Sequence, residues 1–199
     1  SLLRSPERAD RVQRNAQIIL DEVERLEQIL ANVMNFSKPG KPVLHDRSLN
    51  EIVEAVCSFH ENLLAERQVA LNKNLDLRVP PLRLDPDQIR QVLINLVQNA
   101  IHAMPSGGRL TICITNRDKC IEINFSDTGV GIGQDDLQRI FWPFWSRRAD
   151  GSTGSGLGLS ICKAAVSRMK GAIQIRSRQG QGTTVCITLP NADELDSAA

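Results

Sequence analysis

The sequence predicts a two-layer α/β sandwich, with helices covering one face of a mixed, mostly antiparallel sheet, preceded by a long coiled-coil-type helix. Two pairs of β-rich segments, within residues 109–126 and 172–189, are each joined by a short polar turn and predict antiparallel hairpins. Amphipathic segments of helical period stand before the first hairpin and between the two. Helices separated in this way from antiparallel hairpins pack as a layer on the sheet.

The first predicted element is a helix over residues 6–37, assigned with the preceding residues to a domain at 1–37. Ser5 can cap this helix, and Pro6 suits its first position, where a missing N–H costs nothing. Its apolar residues alternate in steps of four and three, which is the spacing of helices that wind around a partner. These residues are Val12, Ala16, Ile19, Val23, Leu26, Leu30 and Val33. We therefore favour association with a partner helix over a helix that lies on its own domain.

A linker is predicted at residues 38–42, because two prolines and a glycine there end the long helix. The second domain then spans residues 43–190. Small and acidic residues fill 191–199 and predict a disordered tail.

The second domain alternates between the two kinds of secondary structure. A helix is predicted at 49–67 and a strand at 68–75. Asp85 marks the start of the next helix, because aspartate caps helices and Gln88 follows three residues later. A further helix is predicted at 157–169.

The composition narrows the classes of function. The chain has 199 residues, of which 41% are hydrophobic, and a formal net charge of +1, so charge gives no reason to expect binding to nucleic acid or acidic lipid. It contains no apolar run of the roughly eighteen residues that cross a membrane. Because it begins at Ser1 rather than Met, we expect a piece of a longer protein whose missing upstream part would carry any membrane segment.

The five cysteines form no CxxC pair and are expected to be buried free thiols in a reducing cytoplasm.

Four short motifs follow one another in the second domain. Two asparagines four residues apart share one helix face, and their amide oxygens suit Mg²⁺. An Asp-x-Gly-x-Gly segment ends a strand, and its buried carboxylate can accept a hydrogen bond from an adenine amine. An aromatic segment and a glycine-rich turn come next, and the turn leads into a helix whose free N–H groups can bind phosphate. The motifs are Asn95–Ala100, Asp127–Gly131, Phe141–Phe144 and Gly154–Leu159.

In this order the motifs resemble the N, G1, F and G2 boxes of sensor histidine kinases, within the gyrase, Hsp90, histidine kinase and MutL ATPase superfamily. The resemblance implies a Bergerat-type ATP-binding fold, ATP and Mg²⁺ as ligands, and a response-regulator receiver domain as partner. It likens residues 1–37 to the second helix of a dimerisation domain, through which the intact cytoplasmic region would form a homodimer. The helix that carries the phosphoacceptor histidine is missing from the sequence. We therefore expect no autophosphorylation of this chain alone.

The resemblance also implies roles for particular residues. Asn99 is the expected Mg²⁺ ligand, and Asp127 is the expected acceptor for the adenine amine, with Thr183 supporting that contact. Phe144 belongs to the aromatic box that latches the glycine-rich flap. The other expected nucleotide contacts are His102, Gly129, Gly131, Arg147, Arg148, Gly154, Gly156, Leu157 and Gly158.

Three of these assignments have open alternatives. Arg147 or Arg148 could neutralise the γ-phosphate, and Arg148 is taken as catalytic, but both could instead be solvated. His102 could touch a phosphate or be a partly exposed helix histidine. The aromatic segment could pack in the core.

Asn95 is the most discriminating residue, and it forms the expected catalytic set together with Asn99 and Arg148. In gyrase and Hsp90 a glutamate occupies the matching position and activates water, which an amide cannot do at neutral pH. We therefore expect transfer to an acceptor that supplies its own nucleophile. The alternatives are an ATP-hydrolysing conformational clamp and a nucleotide-sensing dimer scaffold without transfer. His60 followed by Glu61 superficially resembles a phosphoacceptor motif, but Ala65 replaces the proline of that motif.

Overall fold

The computed structural model describes residues 43–146 and 155–191, together with residues 11, 12, 15, 16, 19 and 23. By its internal contacts the chain divides into two units, Ser1–Pro39 and Gly40–Ala199, and this division falls inside the predicted linker. In the first unit the six described residues are helical and exposed. The rest of the predicted helix 6–37, and the tail after Asn191, lie outside the described residues. The coiled-coil pairing and the domain boundaries stay predictions.

The second unit is built on a five-stranded sheet. Its strands are β2 (Val69–Leu75), β4 (Gly108–Asn116), β5 (Cys120–Asp127), β6 (Ala172–Ser177) and β7 (Thr183–Pro190). They are ordered β2-β4-β5-β7-β6, with β2 parallel to β4 and every other neighbouring pair antiparallel. Both predicted hairpins are therefore present, and the mixed, mostly antiparallel sheet is confirmed.

Among the described residues of this unit, four helices accompany the sheet: α1 (Leu49–Glu66), α2 (Pro86–Ala103), the short α3 (Gln134–Leu137) and α4 (Gly158–Arg168). The central strands alternate buried and half-exposed residues, because α1, α2 and α4 cover one sheet face and no helix of the described part of the chain covers the other. The predicted helix layer is thus confirmed. Among the described residues no helix is long and apolar enough to cross a membrane.

A two-stranded sheet that the sequence did not predict lies at the start of this unit. It pairs β1 (His45–Arg47) with β3 (Leu82–Leu84) in antiparallel register. Each strand has three residues, which is too short to show a period of two in the sequence. Because β1 leads into α1 and β3 into α2, this pairing fixes where the two helices begin.

Side-chain caps begin α1 and α2. The Ser48 hydroxyl accepts a hydrogen bond from the Glu51 amide at 3.3 Å. Asp85 Oδ1 accepts from the amides of Asp87 and Gln88, both at 3.1 Å, as the sequence predicts. The Gln88 side chain donates to Asp85 Oδ2 at 2.8 Å. Burial raises the pKa of Asp85, but its hydrogen bonds outweigh burial and hold that pKa below the usual value.

The expectation of buried cysteines is wrong for three of the five. Cys57 and Cys162 are buried, but Cys113, Cys120 and Cys186 are half-exposed. The last three occupy alternate positions of strands whose opposite faces build the core, so they lie on the open face of the sheet. All five are free thiols. Burial raises the pKa of Cys57 to about 11, which keeps that thiol protonated.

The end of α4 gives a stability prediction. Lys170 has φ +57, while its amide donates to the Ser167 carbonyl (3.0 Å) and the Gly171 amide to the Val166 carbonyl (2.9 Å). This closing pattern favours glycine at the Lys170 position. We expect Lys170→Gly to stabilise the domain by about 1 kcal/mol and to raise Tm by about 2–4 °C in thermal unfolding. Lys170→Ala, which removes the charge but keeps a Cβ, should give no comparable gain; an equal gain would show that backbone strain is not the cause.

Candidate functional site

The candidate site is centred on Asp127, the last residue of the central strand β5. Its Oδ1 accepts hydrogen bonds from the Gly129 amide (2.9 Å) and the Thr183 amide (3.2 Å). Its Oδ2 accepts none from the residues that the structure describes. Burial raises the pKa of Asp127, and the two amide hydrogen bonds offset part of that rise. The carboxylate is therefore held rigidly, with one oxygen available to a ligand.

Glycines surround Asp127 because backbone carbonyls approach them closely. A Cβ at Gly129 would lie 2.3 Å from the Ala103 carbonyl oxygen, and one at Gly131 (φ +67) would lie 2.1 Å from that of Arg178. These contacts dock the loop after β5 onto the end of α2 and onto the β6–β7 turn. The expectation that Gly129 and Gly131 contact the nucleotide stays a prediction.

Two supporting residues were missed in the sequence. A Cβ at Gly182 (φ +83) would lie 2.0 Å from the Asp127 carbonyl oxygen. The Ser177 hydroxyl donates to the Gly182 carbonyl and accepts from the Ile132 amide, both at 2.8 Å. It also bonds the Thr183 hydroxyl at 2.9 Å. The glycine before a threonine pair could have drawn attention to Gly182, but no sequence signal marks Ser177.

The two asparagines of α2 differ in their surroundings. Asn95 is only 5% exposed, and its Nδ2 lies 3.5 Å from the Gly158 carbonyl oxygen and 3.8 Å from Cys162 Sγ. Asn99 is exposed. The two amides share one helix face by their spacing, yet only the amide of Asn95 is buried. The side chain of His102 is half-buried, and its Nδ1 lies 2.6 Å from the Gln98 carbonyl oxygen.

The glycine-rich motif ends at the start of α4, beside Asn95. Leu157 is buried, and its amide donates to the Ser155 hydroxyl at 3.4 Å. No side chain caps α4 in the described part of the chain. Its first N–H groups, from Gly158 onward, are therefore available to an anion.

The aromatic segment lies on the surface, so the alternative of core packing is wrong. Trp142 is 58% and Phe144 74% exposed, and Phe144 adopts φ +65. A Cβ at Gly156 would lie 2.4 Å from the Phe144 carbonyl carbon, so this glycine packs on the aromatic segment. Lys163 of α4 places its ammonium 5.0 Å from the centre of the Phe141 ring. These contacts connect the aromatic segment to Gly156 and to α4.

Three predicted site residues, Arg147, Arg148 and Gly154, lie outside the described residues, so their roles stay predictions. Within residues 43–146 and 155–191 no three His, Cys, Asp or Glu side chains gather in a metal-binding group. A single exposed amide such as Asn99 fits Mg²⁺, which takes few protein ligands and keeps waters and phosphate oxygens. The residues present therefore fit an ion that arrives with a phosphate ligand.

The polar contacts of Asn95 give a prediction. Asn95→Asp removes the donor to Gly158 and places a buried carboxylate beside a carbonyl oxygen, which should destabilise the domain by about 2–4 kcal/mol in urea unfolding at neutral pH. The loss should shrink as the pH falls, because a protonated carboxyl can again donate to Gly158. Asn99→Asp, on the same helix but exposed, is the matched control and should change stability by less than about 0.5 kcal/mol. Equal losses in both variants would contradict the described role of Asn95.

The helix-covered mixed sheet and the carboxylate at the end of its central strand place the chain in the predicted class of ATP-binding domains. The model of the histidine kinase-, DNA gyrase B- and HSP90-like ATPases matches residues 84–193, which is more than half of the chain. The chain belongs to this ATPase family, and the resemblance stated from the four motifs is confirmed.

The individual relatives that match are kinases. The chain is 30% identical over 175 residues to the sensor histidine kinase ZraS of Escherichia coli (strain K12), covering 88% of this chain and 37% of the relative. It is 36% identical over 177 residues to sporulation kinase D of Bacillus subtilis (strain 168), covering 87% of this chain and 34% of the relative. The chain thus spans about a third of the length of these two relatives.

A solved relative matches the fold. The catalytic domain of histidine kinase ThkA superposes with a TM-score of 0.67 at 28% identity, over 74% of this chain and 97% of that domain. ThkA in complex with the response regulator TrrA gives a TM-score of 0.74 at 26% identity, over 92% of this chain and 52% of ThkA.

Proposed function

We propose that residues 43–190 bind ATP with Mg²⁺ and donate the γ-phosphoryl group to a histidine of the intact protein. From there the group would pass to an aspartate of a response regulator. The observation that carries the proposal is the fixed Asp127 carboxylate, with one oxygen available, in the same domain as an uncapped helix start. The kinase relatives support the same assignment.

Each end of the nucleotide has a partner in this arrangement. Asp127 Oδ2 would accept a hydrogen bond from the adenine amine, and the first N–H groups of α4 would bind phosphate oxygens. Asn99 would be the protein ligand of Mg²⁺, and the ion would supply neutralisation of phosphate charge when bound. Arg147 and Arg148 are proposed to add positive charge near the γ-phosphate. The domain would thus contribute positioning and electrostatics, while the histidine supplies the nucleophile.

The surroundings of Asn95 favour transfer over hydrolysis. Its Oδ1 accepts a hydrogen bond from Gln91 at 3.2 Å, and its amide nitrogen faces Gly158. An amide held in this way can neither accept a proton from water nor turn freely toward the phosphates. This argues against an ATP-hydrolysing clamp.

Two partners follow from the proposal. A homodimer would form through the heptad residues of helix 6–37, of which Val12, Ile19 and Val23 are exposed in this structure. A receiver domain would take the phosphoryl group from the histidine. The complex of ThkA with its response regulator supports this second partner.

The proposal is tested by adding a separately produced dimerisation domain that bears the histidine, together with labelled ATP and Mg²⁺. We expect label on the added domain and little steady-state hydrolysis. We expect none on the chain itself, whose His60 is buried within α1. ATP binding without transfer would favour the dimer scaffold, rapid hydrolysis would favour the clamp, and no ATP binding would refute all three.

A further inference from the structure

A row of amide side chains runs along α2 where it packs against α4. Gln88, Gln91 and Asn95 are spaced by three and four residues and so share one face of the helix. At one end of the row, Asn95 donates to the carbonyl of Gly158, the first residue of α4. At the other end, Gln88 Oε1 accepts two hydrogen bonds from Arg168, the last residue of α4, at 2.9 Å from Nε and 2.7 Å from Nη2. Helix α4 is therefore held by polar contacts at its first and last residues.

Amides at a contact between helices restrict sliding. An apolar contact tolerates a small shift along the helix axis, because dispersion forces have little directional preference. A hydrogen bond weakens when its distance or angle changes, and a buried amide without a partner costs free energy. The row therefore selects one axial position of α4 on α2.

The hydrogen bonds continue beyond α4. Gln88 Nε2 donates to Asp85 Oδ2 at 2.8 Å, and the same oxygen accepts from the Val43 amide at 3.0 Å. Val43 is the first described residue after the predicted linker. A continuous path of four residues, Arg168, Gln88, Asp85 and Val43, thus joins the end of α4 to the start of the domain.

We propose that Gln88 and Arg168 are positioning residues that make the Val43 amide follow the axial position of α4. This inference rests on the proposed function, because phosphates bound at the first turn of α4 would draw the helix along its axis. Eleven residues of α-helix form a rod about 16 Å long, which carries an axial shift to its far end. Through Arg168 and Gln88 the shift reaches the Asp85 carboxylate and the hydrogen bond that it accepts from Val43.

The test follows the Val43 amide by solution NMR while a non-hydrolysable ATP analogue with Mg²⁺ is added. In the unaltered chain we expect saturation to change the hydrogen-exchange rate of this amide by about fivefold or more, and to shift its proton resonance. Gln88→Met, which matches the glutamine in length but forms no hydrogen bond, should abolish this response. Nucleotide affinity, measured by calorimetry on the same samples, should change by less than about threefold.

Companion variants separate this role from a general loss of structure. Arg168→Met should also abolish the response, and adding it to Gln88→Met should cause no further loss, since both variants remove the contact between Arg168 and Gln88. Arg168→Lys keeps a cation with a single donor group and should restore part of the response. Arg90→Met, at an exposed position of α2, is the matched control and should leave the response unchanged.

Two results would overturn the inference while leaving the proposed function intact. One is nucleotide binding with no change at Val43 in the unaltered chain. The other is an undiminished Val43 response in Gln88→Met or Arg168→Met. Absence of heat when nucleotide is titrated into the unaltered chain would refute the proposed function and this inference together.

Discussion

Asp127→Asn is expected to weaken ATP binding by about 2–4 kcal/mol, or roughly 30- to 1000-fold, without unfolding the domain. An asparagine can still accept the Gly129 and Thr183 amide hydrogen bonds through its remaining oxygen. That oxygen must then face the protein, so the new NH₂ group occupies the position of Oδ2. This NH₂ group and the adenine amine are both donors, so they could not form a hydrogen bond. The measurement is calorimetric titration of ATP at millimolar Mg²⁺, beside thermal unfolding of the same sample.

Asp127→Ala is the informative companion to that variant. It should also lose binding, but it leaves the Gly129 and Thr183 amides without their acceptor and should cost about 1–3 kcal/mol of stability. Binding in the unaltered chain should weaken as the pH falls through the raised pKa of Asp127, because the protonated carboxyl loses acceptor capacity. Undiminished affinity in Asp127→Asn would show that Asp127 does not contact the base.

Local rules predicted much of this fold. Asp85 followed by a proline marks the start of α2 because a side-chain cap and a missing N–H act within one turn of helix. The strand pair 109–126 is recognisable from the sequence because a short polar turn lies between two β-rich runs. The four motifs could be recognised from their order along the chain, because each is a short run of characteristic residues.

Contacts between distant segments explain what the sequence did not predict. Asn95 and Asn99 are equivalent by helical spacing, yet only Asn95 is buried, because α4 packs on that turn of α2. A Cβ at Gly131 would meet the carbonyl oxygen of Arg178, 47 positions away, and the sequence does not predict this contact. Ser177 supports the Asp127 loop through hydrogen bonds that no pattern in its own strand reveals. The contacts of Gly131 and Ser177 depend on how the β6–β7 turn packs against the loop after β5.

Asn99→Ala is expected to lower phosphoryl transfer to an added histidine-bearing domain on the order of 100-fold or more, while leaving the fold intact. Because Asn99 is exposed on α2, its loss orphans no buried group, and alanine favours a helix by up to about 0.7 kcal/mol. Affinity for ADP without Mg²⁺ should stay unchanged, since this proposed contact acts only through the ion.

Variation of the Mg²⁺ concentration separates a metal ligand from a residue that contacts the nucleotide directly. In Asn99→Ala, the Mg²⁺ concentration that gives half the maximal transfer rate should rise. In Asp127→Asn, the ATP concentration that gives half the maximal rate should rise at every Mg²⁺ concentration. Asn99→Asp retains an oxygen ligand and should recover most of the transfer. If the Asn99→Ala variant transferred the phosphoryl group at the unaltered rate at every Mg²⁺ concentration, Asn99 would not be the metal ligand. The metal site and the phosphate-binding end of the pocket would then have to lie elsewhere. If it lost ADP affinity without Mg²⁺, Asn99 would bind the nucleotide itself.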